Sequence, residues 1–215
     1  MSVLNSDTSV VAVLIGDVVR SRDVPDRRAL HARLLAALDL VSERTGPREP
    51  IRVTVGDEFQ GVFDRVGAAV DAALRLRLEL LPDVDTRYGL GWGPVTRLDA
   101  QTQDGPAWWA ARDAIDWVRE AEDHPATRHA RTAYRSAAVG SPDPDAVNAA
   151  LLCRDHVVGS WDERSQRIMR GLMEKRSQAE LAETEGISAS AVSQRVRGDG
   201  LGIVLTASGW LAAMS

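Results

Sequence analysis

Residues 10–17 read Val10-Val-Ala-Val-Leu-Ile15-Gly-Asp17, and this stretch decides the fold of the first half of the chain. A short apolar run, β-branched in part, favours a strand buried on both faces over a helix. Gly16 and Asp17 end the run, so the carboxylate follows directly on the buried strand. A buried strand so early in the chain predicts a sheet that is covered by helices.

The segments that follow this strand alternate between helical and extended patterns. Apolar residues at helical spacing predict helices over 25–45 and 66–81. Between them, Ile51–Val55 alternates as a half-buried strand, and Phe59–Phe63 returns as the second arm of a hairpin. Tyr88–Trp92 predicts a further strand. The first half therefore reads strand, helix, hairpin, helix, strand, which predicts helices on one face of a mainly antiparallel sheet.

The second half of the chain is mostly helical. A helix is expected over Gly105–Glu122 and a last strand over Thr132–Ala138, and the Pro- and Gly-rich stretch Gly140–Asp145 reads as an interdomain turn. We expect an α+β chain with an α/β domain over residues 1–140 and an all-helical domain over 146–215. Within this second domain, Leu201–Leu205 does not look helical, and we expect it to form either a short wing or part of a final helix.

Composition narrows the classes of protein to which the chain can belong. Apolar residues make up 44% and charged residues 27% of its 215 residues, which excludes disorder. No apolar run is long enough for a membrane helix, and the polar start is not a signal peptide, so we expect a cytoplasmic protein with no membrane partner. Cys153 is the single cysteine, which excludes internal disulfides and cysteine-based zinc sites. The net charge of −5 requires that any DNA contact come from a local basic surface.

Acidic residues stand at two strand ends. Asp17 follows the first strand, and Asp57 stands at the hairpin tip with Glu58 beside it. Two carboxylates brought together there repel each other unless a cation neutralises them, and Mg²⁺ suits a site of one or two carboxylates plus phosphate oxygens. The alternative is that both aspartates only cap turns.

Four motifs carry a resemblance to known proteins. Ile15–Ser21, Thr54–Phe63, Arg87–Pro94 and Gly105–Arg112 are similar, in this order, to motifs of the class III nucleotidyl cyclases. The hairpin also resembles the Gly-Asp-Glu-Phe signature of diguanylate cyclases. With a C-terminal helix-turn-helix appended, the whole arrangement looks most like the SatD family. The resemblance implies a ferredoxin-like, nucleotidyl cyclase-like α/β sandwich.

The resemblance also implies roles for individual residues. Asp17, Asp57 and the carbonyl of Val18 would hold Mg²⁺ or Mn²⁺, and Glu58 would face the metal if the diguanylate cyclase hairpin is the better analogue. Arg112 matches the catalytic arginine that stabilises the phosphate in the transition state.

Two departures from the cyclase pattern affect the base and ribose half of the site. Val53 stands where purine-selecting cyclases have lysine, and Trp108 replaces an asparagine. An indole can stack on a base but cannot orient a ribose. Nucleotide binding is therefore favoured over cyclase chemistry. The alternative for Trp108 and its neighbour Trp109 is one ring in the core and one at a dimer seam.

A second group of candidate nucleotide-binding residues follows Asp17. Arg20, Ser21 and Arg22 precede a helix that we expect to begin within residues 23–28. Guanidinium groups together with the free backbone N–H groups of a helix N-terminus would suit a triphosphate. The alternative is a solvated arginine pair.

The C-terminal region contains a helix-turn-helix pattern. Ser177 caps one helix with Glu180 as its capping-box partner, Gly186 supplies the turn, and Ser188 or Ser190 caps the next helix. The candidate DNA-binding residues all lie on that second helix: Ser190, Ser193, Gln194, Arg195 and Arg197. Such residue types hydrogen-bond phosphates and base edges. The alternative is a module for dimerisation or protein binding.

The leading hypothesis joins these two parts. We expect a homodimeric, transcription-regulator-like protein in which a nucleotide- and metal-binding domain controls a DNA-binding helix-turn-helix. The alternative is an active Mg²⁺-dependent nucleotidyl cyclase or nucleotidyltransferase. A third possibility is a metal-free scaffold.

Overall fold

A computed structural model of the protein describes residues 9–99 and 102–215. The strands are β1 (Ser9–Val18), β2 (Glu49–Val53), β3 (Phe59–Phe63), β4 (Thr86–Arg97), β5 (Gln103–Asp104) and β6 (Thr132–Ser136). The first four helices are α1 (Arg27–Thr45), α2 (Val66–Leu80), α3 (Pro106–Ala121) and α4 (Pro144–Gly159). The last four are α5 (Glu163–Met173), α6 (Gln178–Glu185), α7 (Ala189–Gly198) and α8 (Leu201–Ala212).

The strands form a mixed sheet with β1 in its middle. The order is β2-β3-β1-β4, all antiparallel, and β6 adds to β4 in parallel. This is the strand order of a ferredoxin-like βαββαβ unit extended by one βαβ crossover. Strand β1 pairs with β4 over its whole length, which places Asp17 opposite Arg87. The predicted α+β class is confirmed.

Helices cover both faces of the sheet. Helices α1 and α2 pack on the face that carries Ala12 and Leu14, as predicted for the first half of the chain. Helix α3 packs on the opposite face, against Val11, Val13 and Ile15. Because successive side chains of a strand point to opposite faces, β1 is buried on both sides, which its apolar run predicts. The expectation of helices on one face, made for the first half of the chain, holds for α1 and α2, and α3 adds a layer on the other face.

Helix α4 closes the free edge of β6 with side chains. Asn148 accepts a hydrogen bond from the backbone N–H of Tyr134 at 2.8 Å and donates one to its carbonyl at 2.9 Å. Asp155 accepts from the N–H groups of Arg131 and Thr132 at 2.8 and 2.6 Å. The predicted interdomain turn at 140–145 thus leads into a helix that packs on the sheet.

The C-terminal helices share a core with α2. Leu74 and Leu78 pack in one cluster with Ile168 of α5, Val192 of α7 and Leu201 of α8. The C-terminal helices thus share a core with α2, and a separate domain over residues 146–215 stays a prediction. The wing alternative for Leu201–Leu205 is wrong, because these residues form the first part of α8. Within the two described ranges, no helix is both long and apolar enough to span a bilayer.

Candidate functional site

The end of β1 and the tip of the β2–β3 hairpin meet at one edge of the sheet. Strand β1 pairs with β3 up to the Gly16–Phe59 register position, so the hairpin turn lies next to Asp17. The backbone N–H of Val18 donates to Oδ2 of Asp57 at 3.3 Å. The structure therefore brings together the two aspartates that the sequence singled out.

Two arginines occupy both carboxylate oxygens of Asp17. Nε of Arg87 on β4 donates to Oδ1 at 2.8 Å, and Nη2 of Arg119 on α3 donates to Oδ2 at 2.7 Å. Arg119 also contacts Asp116, one turn before it on α3. The ion pairs of Arg87 and Arg119 with Asp17 were not predicted from the sequence. The available signal was the seven-residue spacing of Arg112 and Arg119, which places both on one face of a helix.

Glu58 and Arg112 form a two-point ion pair. Nη1 and Nη2 of Arg112 donate to the two carboxylate oxygens of Glu58 at 2.7 and 2.8 Å. This hydrogen bonding lowers the pKa of Glu58, against the opposing effect of burial. A lowered pKa means that the stabilisation is present above the unfolded-state value and is lost as the pH falls through the folded-state value. The pair is therefore intact at neutral pH.

The carboxylates at this edge, as the structure arranges them, do not form a site that fits a divalent cation. All four oxygens of Asp17 and Glu58 accept hydrogen bonds from guanidinium groups, and Asp57 accepts from Val18. Within residues 9–99 and 102–215, no three His, Cys, Asp or Glu side chains are grouped so that they could hold a metal ion. Arginine supplies the charge compensation that the sequence argument assigned to a cation. The Mg²⁺ or Mn²⁺ site at Asp17, Val18, Asp57 and Glu58 stays a prediction.

A groove of about 580 Å³ lies on the face of the sheet that α3 covers, over the β2–β3 hairpin. Its lining includes Arg52, Gln60, Gln103 and the indole of Trp108. Among the residues that the structure describes, Nε1 of Trp108 and Oε1 of Gln103 are buried and have no hydrogen-bond partner. The lining of the groove therefore contains an aromatic residue, and two of its residues each keep one unsatisfied polar atom, a donor and an acceptor. Val53, which replaces the lysine of the cyclase pattern, also lines it.

The two tryptophans at the start of α3 have different surroundings. Trp108 is partly buried against the cluster under α3, whereas Trp109 is 60% exposed and donates from Nε1 to Asp104 at 2.9 Å. This matches the expectation of one ring toward the core and one on the surface. The dimer seam at this position stays a prediction.

The predicted anion site after Asp17 differs from its sequence interpretation. Ser21–Asp23 form a short 3₁₀ turn, and α1 begins at Arg27, within the expected range of residues 23–28. The carboxylate of Asp26 accepts hydrogen bonds from two of the first N–H groups of that helix, so these two groups are not free for an anion. Nucleotide binding by Arg20, Ser21 and Arg22 stays a prediction.

Helices α6 and α7 have the capping that the sequence predicts. Ser177 and Glu180 form the capping box, Gly186 takes the left-handed conformation, and Ser188 caps α7. On α7, Ser190, Gln194 and Arg197 are exposed and Ser193 is half-buried. Arg195 instead contacts the start of α5.

The partners of Arg195 are two carboxylates and the hydroxyl of Ser165, to which it donates at 2.7 Å. Its Nη1 pairs with Asp162 at 2.9 Å and with Asp199 at 3.3 Å. DNA binding by Ser190, Ser193, Gln194, Arg195 and Arg197 stays a prediction. For Arg195 to contact DNA, its guanidinium would have to leave its ion pairs with Asp162 and Asp199.

A continuous chain of ion pairs runs from the β1 end to the helices beneath the C-terminal region. In order, its members are Asp17, Arg87, Glu122, Arg131, Asp85, Arg77 and Asp155. Arg77 lies on α2 and Asp155 on α4, and both helices contact α8. The chain thus links Asp17, contact by contact, to two helices that contact α8.

Comparison with known proteins gives one family and a set of solved structures. The model of the SatD family matches residues 11–212. The catalytic core of a rhodopsin-guanylyl cyclase with converted specificity, in complex with ATPalphaS, is 24% identical over 51% of this chain and 72% of that chain, with a TM-score of 0.43. A bacterial light-regulated adenylyl cyclase is 15% identical over 60% and 76%, with a TM-score of 0.46.

The adenylyl cyclase CyaB from P. aeruginosa is also similar, at 19% identity over 51% of this chain and 72% of that chain, with a TM-score of 0.42. No curated protein matches the sequence significantly.

Proposed function

Because this chain belongs to the SatD family, whose model spans both the sheet and the C-terminal helices, we propose that the two parts act together as a nucleotide-responsive DNA-binding regulator. The sheet binds a nucleotide on the α3 face. Helices α6 and α7 bind DNA. The nucleotide changes the affinity for DNA by favouring one of two arrangements of α5–α8, which requires that it bind the two arrangements with different affinity.

The observation that carries the nucleotide proposal is the position of the groove relative to the arginines. Trp108 and Arg112 lie one turn apart on α3. Gln60, which lines the groove, donates a 3.2 Å hydrogen bond to Glu58, the partner of Arg112, two residues before it. A base against Trp108 in the groove would therefore have its phosphate near Arg112. Guanidinium forks match phosphate oxygens in geometry as well as in charge.

The unpaired atoms of the groove supply base recognition. A buried donor or acceptor without a partner costs free energy, which a ligand that satisfies it recovers. Nε1 of Trp108 is such a donor and Oε1 of Gln103 is such an acceptor. A base with a hydrogen-bond acceptor and a donor on the same edge would satisfy both atoms.

The proposal for DNA rests on α7. Its exposed residues include Gln194 and Arg197, and Ser188 and Gly186 fix the turn that leads into it. The helix carries two arginines and no acid between Gly186 and Gly198. Because the chain as a whole is acidic, binding depends on this local surface and weakens steeply with salt. A homodimer that contacts two half-sites would raise the affinity.

The second candidate function is the active cyclase or nucleotidyltransferase. It is favoured by the convergence of Asp57 with the strand end that carries Asp17. The ion pairs of Asp17 and Glu58 with arginine count against it. Incubation of the purified protein with each nucleoside triphosphate and Mg²⁺ or Mn²⁺, followed by mass analysis of the products, separates the two functions.

Nucleotide binding is tested by thermal unfolding. A panel of nucleotides should raise the Tm of the protein, and Trp108→Ala should remove the increase because base stacking on an aromatic ring is worth about 1–3 kcal/mol. Arg48→Ala, at the far end of the hairpin from the turn, is the control and should respond like the unchanged protein. The absence of any increase with every nucleotide would contradict the proposal.

DNA binding is tested with two variants that should act differently. Gln194→Ala should cost roughly 1–3 kcal/mol on a selected operator and little on random DNA, if Gln194 contacts a base edge. Arg197→Ala, near the helix end, should weaken binding to all sequences and lower the salt slope by about one unit. Both duplexes are titrated at several salt concentrations, with Arg48→Ala as control. If neither duplex binds at low salt, α6–α7 bind a protein instead.

A further inference from the structure

The relative exposure of the charged groups at the β1 end shows which of them a ligand can reach. The side chain of Asp17 is 9% exposed, whereas those of Arg119 and Arg112 are 36% and 39% exposed. Asp17 is therefore less accessible to solvent than Arg119, with which it pairs, and than Arg112, which pairs with Glu58. A ligand that arrives from solvent meets arginine first.

The arginines keep donors free for a ligand. A guanidinium carries five N–H groups, and Arg112 uses its two terminal nitrogens on Glu58, which leaves Nε–H and the second hydrogens of Nη1 and Nη2. Arg87 uses Nε on Asp17 and Nη1 on Glu122. Because both guanidiniums are held by carboxylates, little side-chain entropy remains to be lost when an anion binds.

The sum of charges around this edge is close to zero. The carboxylates are those of Asp17, Asp57, Glu58, Asp85, Asp116 and Glu122, and the guanidiniums are those of Arg87, Arg112, Arg119 and Arg131. Arg52 in the groove, for which no ion pair with another described residue is seen, adds one more cation. A nearly neutral site can bind a phosphate group of low charge through directed N–H groups. It lacks the excess positive charge that a polyphosphate requires.

We infer that Asp17 and Glu58 are positioning residues for Arg119 and Arg112, and that the site binds a nucleoside monophosphate, cyclic or open, without a divalent cation. This inference rests on the proposed nucleotide function and names its ligand class. The guanidiniums take the place that a metal ion has in a polyphosphate site. A triphosphate binds more weakly, because a nearly neutral site has no excess positive charge to balance its further negative charges.

The experiment is a calorimetric titration of the full chain in excess EDTA and again in millimolar Mg²⁺. The probes are AMP, GMP, cyclic AMP, cyclic GMP, ATP and GTP. At least one monophosphate should bind in EDTA, with a Kd that Mg²⁺ changes by less than about twofold, and its triphosphate should bind in EDTA at least about tenfold more weakly. Comparison of the Kd values of the cyclic and the open monophosphates shows which of the two forms the site binds more tightly.

Variants separate positioning from metal binding. Asp17→Asn and Glu58→Gln should raise the Kd for the monophosphate in EDTA about tenfold, because they release a guanidinium that makes charge-assisted hydrogen bonds. Metal ligands would instead leave binding in EDTA unchanged. If Asp17→Asn does not fold, Glu58→Gln is used for the test by itself, because the side chain of Glu58 is partly exposed. Arg48→Ala is the control.

The outcomes differ for the inference and for the proposed function. Nucleotide binding that occurs only with Mg²⁺, or that favours the triphosphate in EDTA, overturns the inference and leaves the nucleotide function intact. No binding of any nucleotide in either buffer overturns both.

Discussion

Replacing Asp155 by alanine should lower the free energy of unfolding by about 3–5 kcal/mol, because removal of one partner leaves buried charges uncompensated. Asp155 is fully buried, as are Arg77 and Arg154 beside it. Its carboxylate accepts from the backbone N–H groups of Arg131 and Thr132 and lies 3.5 Å from both guanidiniums. For a chain of this size the loss corresponds to a fall in Tm of roughly 10 °C.

The control for Asp155→Ala lies on the same helix. Asp145 is exposed in the first turn of α4, so Asp145→Asn should change the Tm by little. Chemical denaturation of both variants gives the two free energies. Equal, small effects would show that the ion-pair chain through Arg77 and Asp155 is not holding α4 on the sheet.

Replacing Gly91 by alanine should cost about 3 kcal/mol, at the upper end of the usual range for overpacking. A Cβ atom at Gly91 would stand 2.0 Å from the carbonyl oxygen of Ala107 and 2.6 Å from the nitrogen of Ala111. Both contacts are backbone atoms of α3, so no side chain can rotate away. The helix must move outward, and it carries Arg112 and Arg119 with it, so nucleotide binding should fall together with stability.

A glycine with free space around it is the matched control. Gly209 lies within α8, and a Cβ atom there would meet nothing within 4 Å. Gly209→Ala should raise stability by roughly 0.5–1 kcal/mol, because alanine loses less conformational entropy in a helix. Thermal unfolding of the two variants side by side should give shifts of opposite sign. A shift of the same sign for both would contradict the close approach of α3 to β4.

Much of the local structure could be predicted because local rules govern it. The apolar stripe at Leu30, Leu34, Leu38 and Val41 gave α1, and these residues are buried. The capping box of Ser177 gave the start of α6. Where the local signal was ambiguous, as at Leu201–Leu205, the prediction stayed open between a wing and a helix. Burial against α2 decided for the helix, because packing of an apolar segment outweighs its intrinsic propensity.

The candidate site could be predicted only in part. The convergence of Asp17 with Asp57 followed from strand ends and from the cyclase-like motifs. Their counter-charges did not, because Arg87 and Arg119 are 70 and 102 residues from Asp17 in the chain. The counter-charges of Asp17 in the structure are guanidiniums, and the metal ion expected there stays a prediction.

The helices, the central strand and the turns could be predicted from the sequence, because hydrophobic period, caps and glycine act over a few residues. The tertiary structure alone decided three things: that α3 covers the second face of the sheet, that α5–α8 rest on α2, and that Asp17 and Glu58 are paired with guanidiniums. Each depends on which distant segments meet. The free energy of a buried carboxylate is set by the charge that stands next to it in space, and no local pattern of residues encodes that neighbour.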